Sequence, residues 1–566
     1  MNLAKPVFSK QLKNLSVFLP IFYVLVAFVL FPNLELLLQS FQQDGGFTLS
    51  HYLEFFDFKH PANLNALWGS IFISLLSVLF SALVGVPLAY LFTHYDFPGR
   101  RFFSAIAILP VVMPPLVGVL AFLFLFGESG ILPRSIQALL GLKSVPFYIE
   151  GVSAIVVVHT YSMYVYFYLF ANTAFQEMDV SVIEAAKNLG ASNWMIWRKI
   201  RLPLLTPALG GAALLVFMTS MASFSAPFIF AGGFRILSLE IYNSKLNGEM
   251  ELAITQSVVL AVISILFLVL LRKYSERRQY VGTGKGVRIT PRPVSRGWGR
   301  VLIGTLGMFC VIALILPHLT VVLISFVKNG TWTWQTLPPV YTFENYLNLF
   351  RDPRVVEPVL NSVKMASLST GGNLFFGVLV AYLLARKKFQ GWKITEFMTM
   401  LPWAIPGTVV AIGLIISFNR PTPFTFGQIL VGTFWILPLA YFIRNLPLIF
   451  RSTYAALEQF DPSLEEAARN LGAPWWLTFR RVVLPLIAPG VISGTLLTFV
   501  LALGEFVSSI LLYTYDNRPI SVEIISQLRI FNLGSAAAYS VFLIILIAAI
   551  LLISNKLRGG EKRFVI

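Results

Sequence analysis

Twelve apolar stretches constrain this chain more than any single motif. They lie near 16–38, 67–93, 102–126, 151–173, 206–231, 251–271, 301–326, 360–385, 395–418, 428–450, 484–514 and 535–555. A helix of about 20 residues crosses a hydrocarbon core about 30 Å thick. Within that core each backbone amide needs an internal partner, so segments of this length are expected as helices. Composition agrees, with 57% hydrophobic and 12% charged residues where soluble domains average about 25% charged. The expected fold class is an all-α polytopic membrane protein. The first stretch is too long for the apolar part of a cleaved signal and has no small-residue cleavage site after it, so it counts as a true span.

The net charge of +17 would suggest nucleic acid in a soluble protein. Here Lys and Arg are expected in loops on the cytoplasmic side, and the partner is a lipid bilayer, with no nucleic acid. If the spans alternate, most basic residues fall on one face. They are Lys5, Lys10 and Lys13, Arg100 and Arg101, Lys187 to Arg201, the interval from Arg272 to Arg300, Arg386 to Lys393, Arg444 to Arg481, and Lys556 to Arg563. Both termini are then expected on the cytoplasmic side.

A second constraint is internal duplication. Residues 184–207, EAAKNLGASNWMIWRKIRLPLLTP, and 466–489, EAARNLGAPWWLTFRRVVLPLIAP, align without a gap. Ala89-Tyr90, Leu109-Pro110 and Pro114 similarly match Ala381-Tyr382, Leu401-Pro402 and Pro406, and the first half carries a longer external loop around FGESGILPRSIQALLGLKSVPF. Six spans per half make the repeats parallel. The expected domains are a first half over 1–271, a basic tether over 272–300 rich in Gly, Pro and Arg, and a second half over 301–566. The repeated loops occupy about 179–205 and about 461–487.

Each loop reads as two short helices. Ser181-x-x-Glu184 and Ser463-x-x-Glu466 have the spacing of a capping box, with Ser as the cap and Glu reaching back. Gly190 and Gly472 stand where a helix end takes the left-handed conformation. The second helix is expected to start at Ser192 or Pro474 and to end on Arg198/Lys199 or Arg480/Arg481, cations suited to the negative end of its dipole. Leu202-Pro203 and Leu484-Pro485 would then turn into the next span. Two readings fit this elbow: an amphipathic pair lying in the lipid interface, or a docking device.

The motif EAA(K/R)NLGA followed by LP resembles the cytoplasmic loop signature of permease subunits in binding-protein-dependent ABC importers. The resemblance covers nearly the whole chain, each half looking like one permease core of a type I importer, and the fused pair looks most like the ferric-iron type. It implies that Glu184, Ala185, Ala186 and Gly190, with Glu466, Ala467, Ala468 and Gly472, couple the chain to two ATP-binding subunits on the cytoplasmic side. A periplasmic or extracellular solute-binding protein would dock outside. It also implies the bacterial cytoplasmic (inner) membrane, and cargo of ferric iron or, in related importers, thiamine, polyamine or aminophosphonate.

No cofactor is expected in this chain, ATP and Mg being held by the partner subunits. GTGKG at 282–286 lacks the phosphate-loop spacing, so the chain is not expected to hydrolyse ATP. The lone Cys310 forms no disulfide within the chain, and the five His residues have no ligand spacing. By the same resemblance the fifth span of each half lines the path, bringing forward Ser220 and Ser223, and Glu505 and Ser508. Glu505 matches Ser223 in register, so the acid occurs in one half. An intramembrane acid faces a cavity or a partner, and a structural Glu505 bonded to a nearby hydroxyl is the competing reading. An ion-coupled secondary transporter would also have two parallel six-span halves. It would need more intramembrane charge than Glu505 and His159, and it does not explain the two matching elbows.

Overall fold

The computed structural model describes residues 18–276, 290–294, 297–332, 335–386 and 391–557. Most of the tether, including GTGKG, and both charged termini lie outside the described residues. Ten described helices are long and apolar enough to cross a membrane, and the pair Trp392–Ala404 and Gly407–Phe418, bent by 112°, makes an eleventh if the two are counted as one span. Helix Ile436–Gln459 fills the remaining expected segment. It is less apolar than the others because it carries Arg444, Asn445 and Arg451.

Several expected spans are broken where the sequence removes a helix donor or adds a polar residue. The stretch expected over 102–126 is three pieces, Arg100–Ile106, Leu109–Val112 and Pro115–Phe126, interrupted around Pro110, Pro114 and Pro115. The stretches over 206–231 and 484–514 stop at Met221 and Leu503 and restart at Ser225 and Val507. The long loop of the first half contains its own helix, Ile131–Leu140.

The chain forms two compact units that cut across the sequence halves. One comprises residues 1–51, 348–525 and 542–566. In it helix Pro353–Arg386 packs along Ile436–Gln459, and helix Gly407–Phe418 is buried on every side. The first helix of the chain also belongs here. Phe28 and Phe31 pack on Phe418, with ring centroids 5.9 and 6.2 Å away. Tyr23 donates to the Phe424 carbonyl at 3.1 Å, and Glu35 pairs with Arg420.

The other unit comprises residues 52–347 and 526–541. Helix Ala62–His94 packs along Gly151–Glu177, the counterpart of the pairing in the first unit. The opening helix of the second sequence half, Trp298–Ser325, lies in this unit against Pro115–Phe126, and Tyr161 donates to the Leu314 carbonyl at 2.8 Å. Thus the opening span of each sequence half packs in the unit built mainly from the other half.

Candidate functional site

Both elbows begin at an aspartate. Helix Val180–Asn188 is capped by Asp179, which accepts the Ser181 amide at 2.9 Å. Helix Ser463–Asn470 is preceded by Asp461, which accepts the Ser463 amide at 2.9 Å. The expectation that Ser181 and Ser463 are the caps is therefore corrected. An ionised carboxylate two residues upstream is the stronger acceptor for the exposed amides of a first turn. The Ser463 amide, with the Ser463 side chain in support, holds the Asp461 carboxyl below its ordinary pKa.

Each first helix closes with the same glycine motif. Gly190 and Gly472 have φ of +81° and +84°. The Gly190 amide donates to Lys187 O at 2.9 Å and Ala191 to Ala186 O at 3.0 Å, and Gly472 and Ala473 repeat the pattern on Arg469 O and Ala468 O at 2.9 and 3.1 Å. This paired arrangement satisfies the last carbonyls and reverses the chain. A Cβ on either glycine would meet nothing within 4 Å, so only the backbone conformation selects glycine there.

The second helix does not end at the cations. Asn193–Ile196 and Trp475–Thr478 run through a π-helical turn, Trp197–Arg201 or Phe479–Val483, straight into the spans Leu202–Met221 and Leu484–Leu503. The Leu202 amide reaches back to Trp197 O, and Leu484 to Phe479 O. The wide turn falls just ahead of Pro203 and Pro485, which have no N–H to continue the ordinary ladder. Expected turns at Leu202-Pro203 and Leu484-Pro485 are therefore replaced by continuous helix.

The residues named in the motif divide by face. Glu184, Ala185, Glu466 and Ala467 are exposed, and Ala186 and Ala468 are half-buried. Beside them stand apolar side chains facing outward: Leu189 at 88% and Leu471 at 90% exposure, with Trp194 and Trp476. On the inward face the elbows differ. Ile183 and Ile196 enter an apolar cluster with Phe175 and Tyr168, while the equivalent positions hold buried Glu465 and Thr478.

The residues expected along the path cluster at the broken helices. In the unit containing residues 52–347, His159 Nε2 lies 2.8 Å from Ser223 Oγ, and its Nδ1 lies 2.9 Å from Ser77 Oγ and 3.2 Å from Ser220 Oγ. In the other unit Glu505 pairs with Arg444 and accepts the Ser508 amide at 2.9 Å. Ser508 Oγ is 3.5 Å from the Gly407 carbonyl. A Cβ at Gly407 would lie 2.5 Å from Arg444 Nη1, so glycine is what lets the guanidinium cross that backbone. Arg444, expected with the cytoplasmic cations, instead lies within a helix of the core. Among the described residues no group of three or more His, Cys, Asp and Glu side chains could hold a metal ion.

The family described as "Binding-protein-dependent transport system inner membrane component" matches residues 81–280 and again 373–558. The chain belongs to this family. It is a fused pair of permease halves of a type I ABC importer, a transport component of a multi-pass membrane system. A probable ABC transporter permease, y4fN of Sinorhizobium fredii, is 29% identical over 502 residues, covering 88% of each chain. The ferric transport system permease FbpB of Actinobacillus pleuropneumoniae is 27% identical over 97% of this chain and 78% of its own. The molybdenum transport system permease ModB of Escherichia coli K12 is 38% identical over 162 residues, 27% of this chain and 70% of its own.

Three residues of this permease's polar machinery were not legible as such in sequence. Glu465 stands beside the more conspicuous Glu466. Arg386 sat among loop cations, and Arg444 was counted with them. The expected span over 428–450 already contains Arg444, and its apolar flanks in ILPLAYFIRNLPLIF are the signal that sets it apart from the loop cations.

Proposed function

We propose that this permease forms the membrane path of an ATP-driven importer of ferric iron, with each elbow seating one ATP-binding subunit. The observation that carries the reading is the pair of glycine-hinged elbows, whose exposed Leu189, Trp194, Leu471 and Trp476 present apolar surface of the kind buried by a partner. Both elbows and both termini then face the cytoplasm, and a solute-binding protein delivers cargo from outside. ATP and Mg are bound by the partners. The polar clusters at the helix breaks, Ser220 and Ser223 with His159 in one unit and Glu505 and Ser508 with Arg444 in the other, are proposed stretches of the solute's route.

Iron is favoured by the ferric relative matching nearly the whole chain. A second cargo reading, an oxyanion such as molybdate, is supported by the higher identity of the molybdenum relative over part of the chain. Charge compensation of Glu505 by Arg444 also removes a free acid that would have favoured a cation. The test is reconstitution in vesicles with the ATP-binding subunit and the binding protein. Fe(III) uptake that needs both partners and ATP, and survives collapse of the proton gradient, supports the proposal. Uptake driven by the gradient without ATP overturns the importer class, and stimulation by molybdate alone overturns the cargo.

A further inference from the structure

Glu465 and Ile183 stand one residue before Glu466 and Glu184, and both are buried. A buried carboxylate needs compensation, and Glu465 receives it from three sides. Arg386 Nε is 2.6 Å away, the Tyr382 hydroxyl 3.2 Å and Arg469 Nη2 3.4 Å. Trp475 Nε1 donates in turn to the Tyr382 hydroxyl at 3.2 Å.

In the first half Tyr90 takes the place of Tyr382, and four residues later His94 replaces Arg386. His94 lies against Tyr90, with ring centroids 4.0 Å apart and the planes tilted by 32°, and Tyr90 accepts from Arg201 at 3.1 Å. In place of the acid stands Ile183, which packs among apolar neighbours.

Arg386 is the last residue of helix Pro353–Arg386, and Glu465 lies in the first turn of Ser463–Asn470. The pair therefore joins the negative end of one helix dipole to the positive end of another, and each charge is favoured by its own helix as well as by its partner. Arg386 Nη2 is buried and has no acceptor among the described residues. The guanidinium cannot leave Glu465 without stranding a largely buried charge.

Resting on the reading of the elbows as ATPase seats, we propose that Glu465 is a positioning residue. The Glu465–Arg386 pair carries displacement of the second elbow into the spanning helix Pro353–Arg386. The first elbow is joined to helix Ala62–His94 through the packing of Ile183 and the Arg201–Tyr90 bond. A short ion pair is directional and resists sliding, whereas apolar contact is not directional and tolerates it. The second seat, held by a buried ion pair, is thus the tighter transmission, and the first, held by apolar packing and one bond from Arg201 to a neutral hydroxyl, the more compliant one.

The test uses the full chain reconstituted with its ATP-binding subunit and binding protein, with Fe(III), molybdate and sulfate tried in turn on the wild type to find the cargo that stimulates. Glu465→Gln and Arg386→Gln should still bind two ATP-binding subunits per chain, yet move about tenfold less solute per ATP, within the usual range of coupling effects. Arg386→Lys should keep the coupling. Glu465→Ile combined with Arg386→His installs the first-half residues at these two positions and leaves no stranded charge, so it should fold and bind both subunits while remaining uncoupled.

Wild-type coupling in Glu465→Gln or in the double variant overturns the proposal. Loss of a bound subunit from the double variant overturns it in favour of simple seating. A wild-type chain that binds no ATP-binding subunit sinks the coupling reading itself, and this one with it.

Discussion

The guanidinium of Arg444 reaches the carboxylate of Glu505 across the backbone of Gly407, tying helix Ile436–Gln459 to the break between Leu503 and Val507 and to the start of Gly407–Phe418. Both side chains are mostly buried, at 24% and 11% exposure. Removing one partner from such a pair costs about 3–5 kcal/mol because the other is stranded, while replacing both with apolar residues is close to neutral. Arg444→Met and Glu505→Gln should each lower the melting temperature of the purified permease in micelles. The double variant Arg444→Met/Glu505→Met should recover most of the loss, and equal losses in all three would refute the pairing.

Gly407→Ala tests the crossing itself. The added Cβ would sit 2.5 Å from Arg444 Nη1 and 2.6 Å from its Cζ. Overpacking of this kind costs about 1–3 kcal/mol. The cost should largely disappear in the Arg444→Met background, which a double-mutant cycle on thermal stability reads directly.

At Gly190 and Gly472 no neighbour would be struck, and only the left-handed φ penalises a side chain. The penalty is about 1–2 kcal/mol for an ordinary residue. Asn tolerates the conformation better than Ala, and Val worst. Solute moved per ATP hydrolysed should therefore fall in the order Gly, Asn, Ala, Val at either position. An equal effect of Asn and Val would mean the hinge is not what matters.

The outward leucines make a separate prediction. Leu189→Asp and Leu471→Asp change residues that are 88% and 90% exposed, so the permease alone should keep its melting temperature. Central apolar anchors of an interface cost at least about 2 kcal/mol when lost. Binding of the ATP-binding subunit, measured by co-purification at graded concentrations, should weaken accordingly. Unaltered binding would place the docking surface elsewhere.

Acid should loosen the second elbow at its start. The Ser463 amide bond favours ionised Asp461 and lowers its pKa from the ordinary 3.8. A group whose folded pKa is depressed contributes stability above its unfolded pKa and loses it as the pH falls through the folded value. Amide exchange at Ser463 should therefore speed up, relative to the intrinsic rate, as the pH drops below about 3.8. Asp461→Asn, which caps without ionising, should abolish that pH dependence.

Much of this architecture is set by local pattern. Apolar length places the spans, because an unpaired amide in hydrocarbon is too costly for any alternative to helix. The two copies of EAA(K/R)NLGA mark the elbows, and Gly190 and Gly472 end their first helices because few other residues adopt positive φ cheaply. Local pattern also misled. The spacing S-x-x-E pointed to Ser181 and Ser463, although Asp179 and Asp461, two residues upstream, hold the amides. Pro203 and Pro485 read as turns, whereas a single wide turn ahead of each lets the helix pass.

What only the tertiary structure decided is which charges meet. Arg444 and Glu505 are 61 residues apart, and Arg386 and Glu465 are 79 apart. Nothing in the local spacing of either residue names its partner. The same holds for the opening helices, each of which packs in the unit built mainly from the other half. Hydrophobicity drives a segment into the bilayer without direction. Ion pairs and hydrogen bonds between distant segments are directional, and they require the segments to be brought together before they can form.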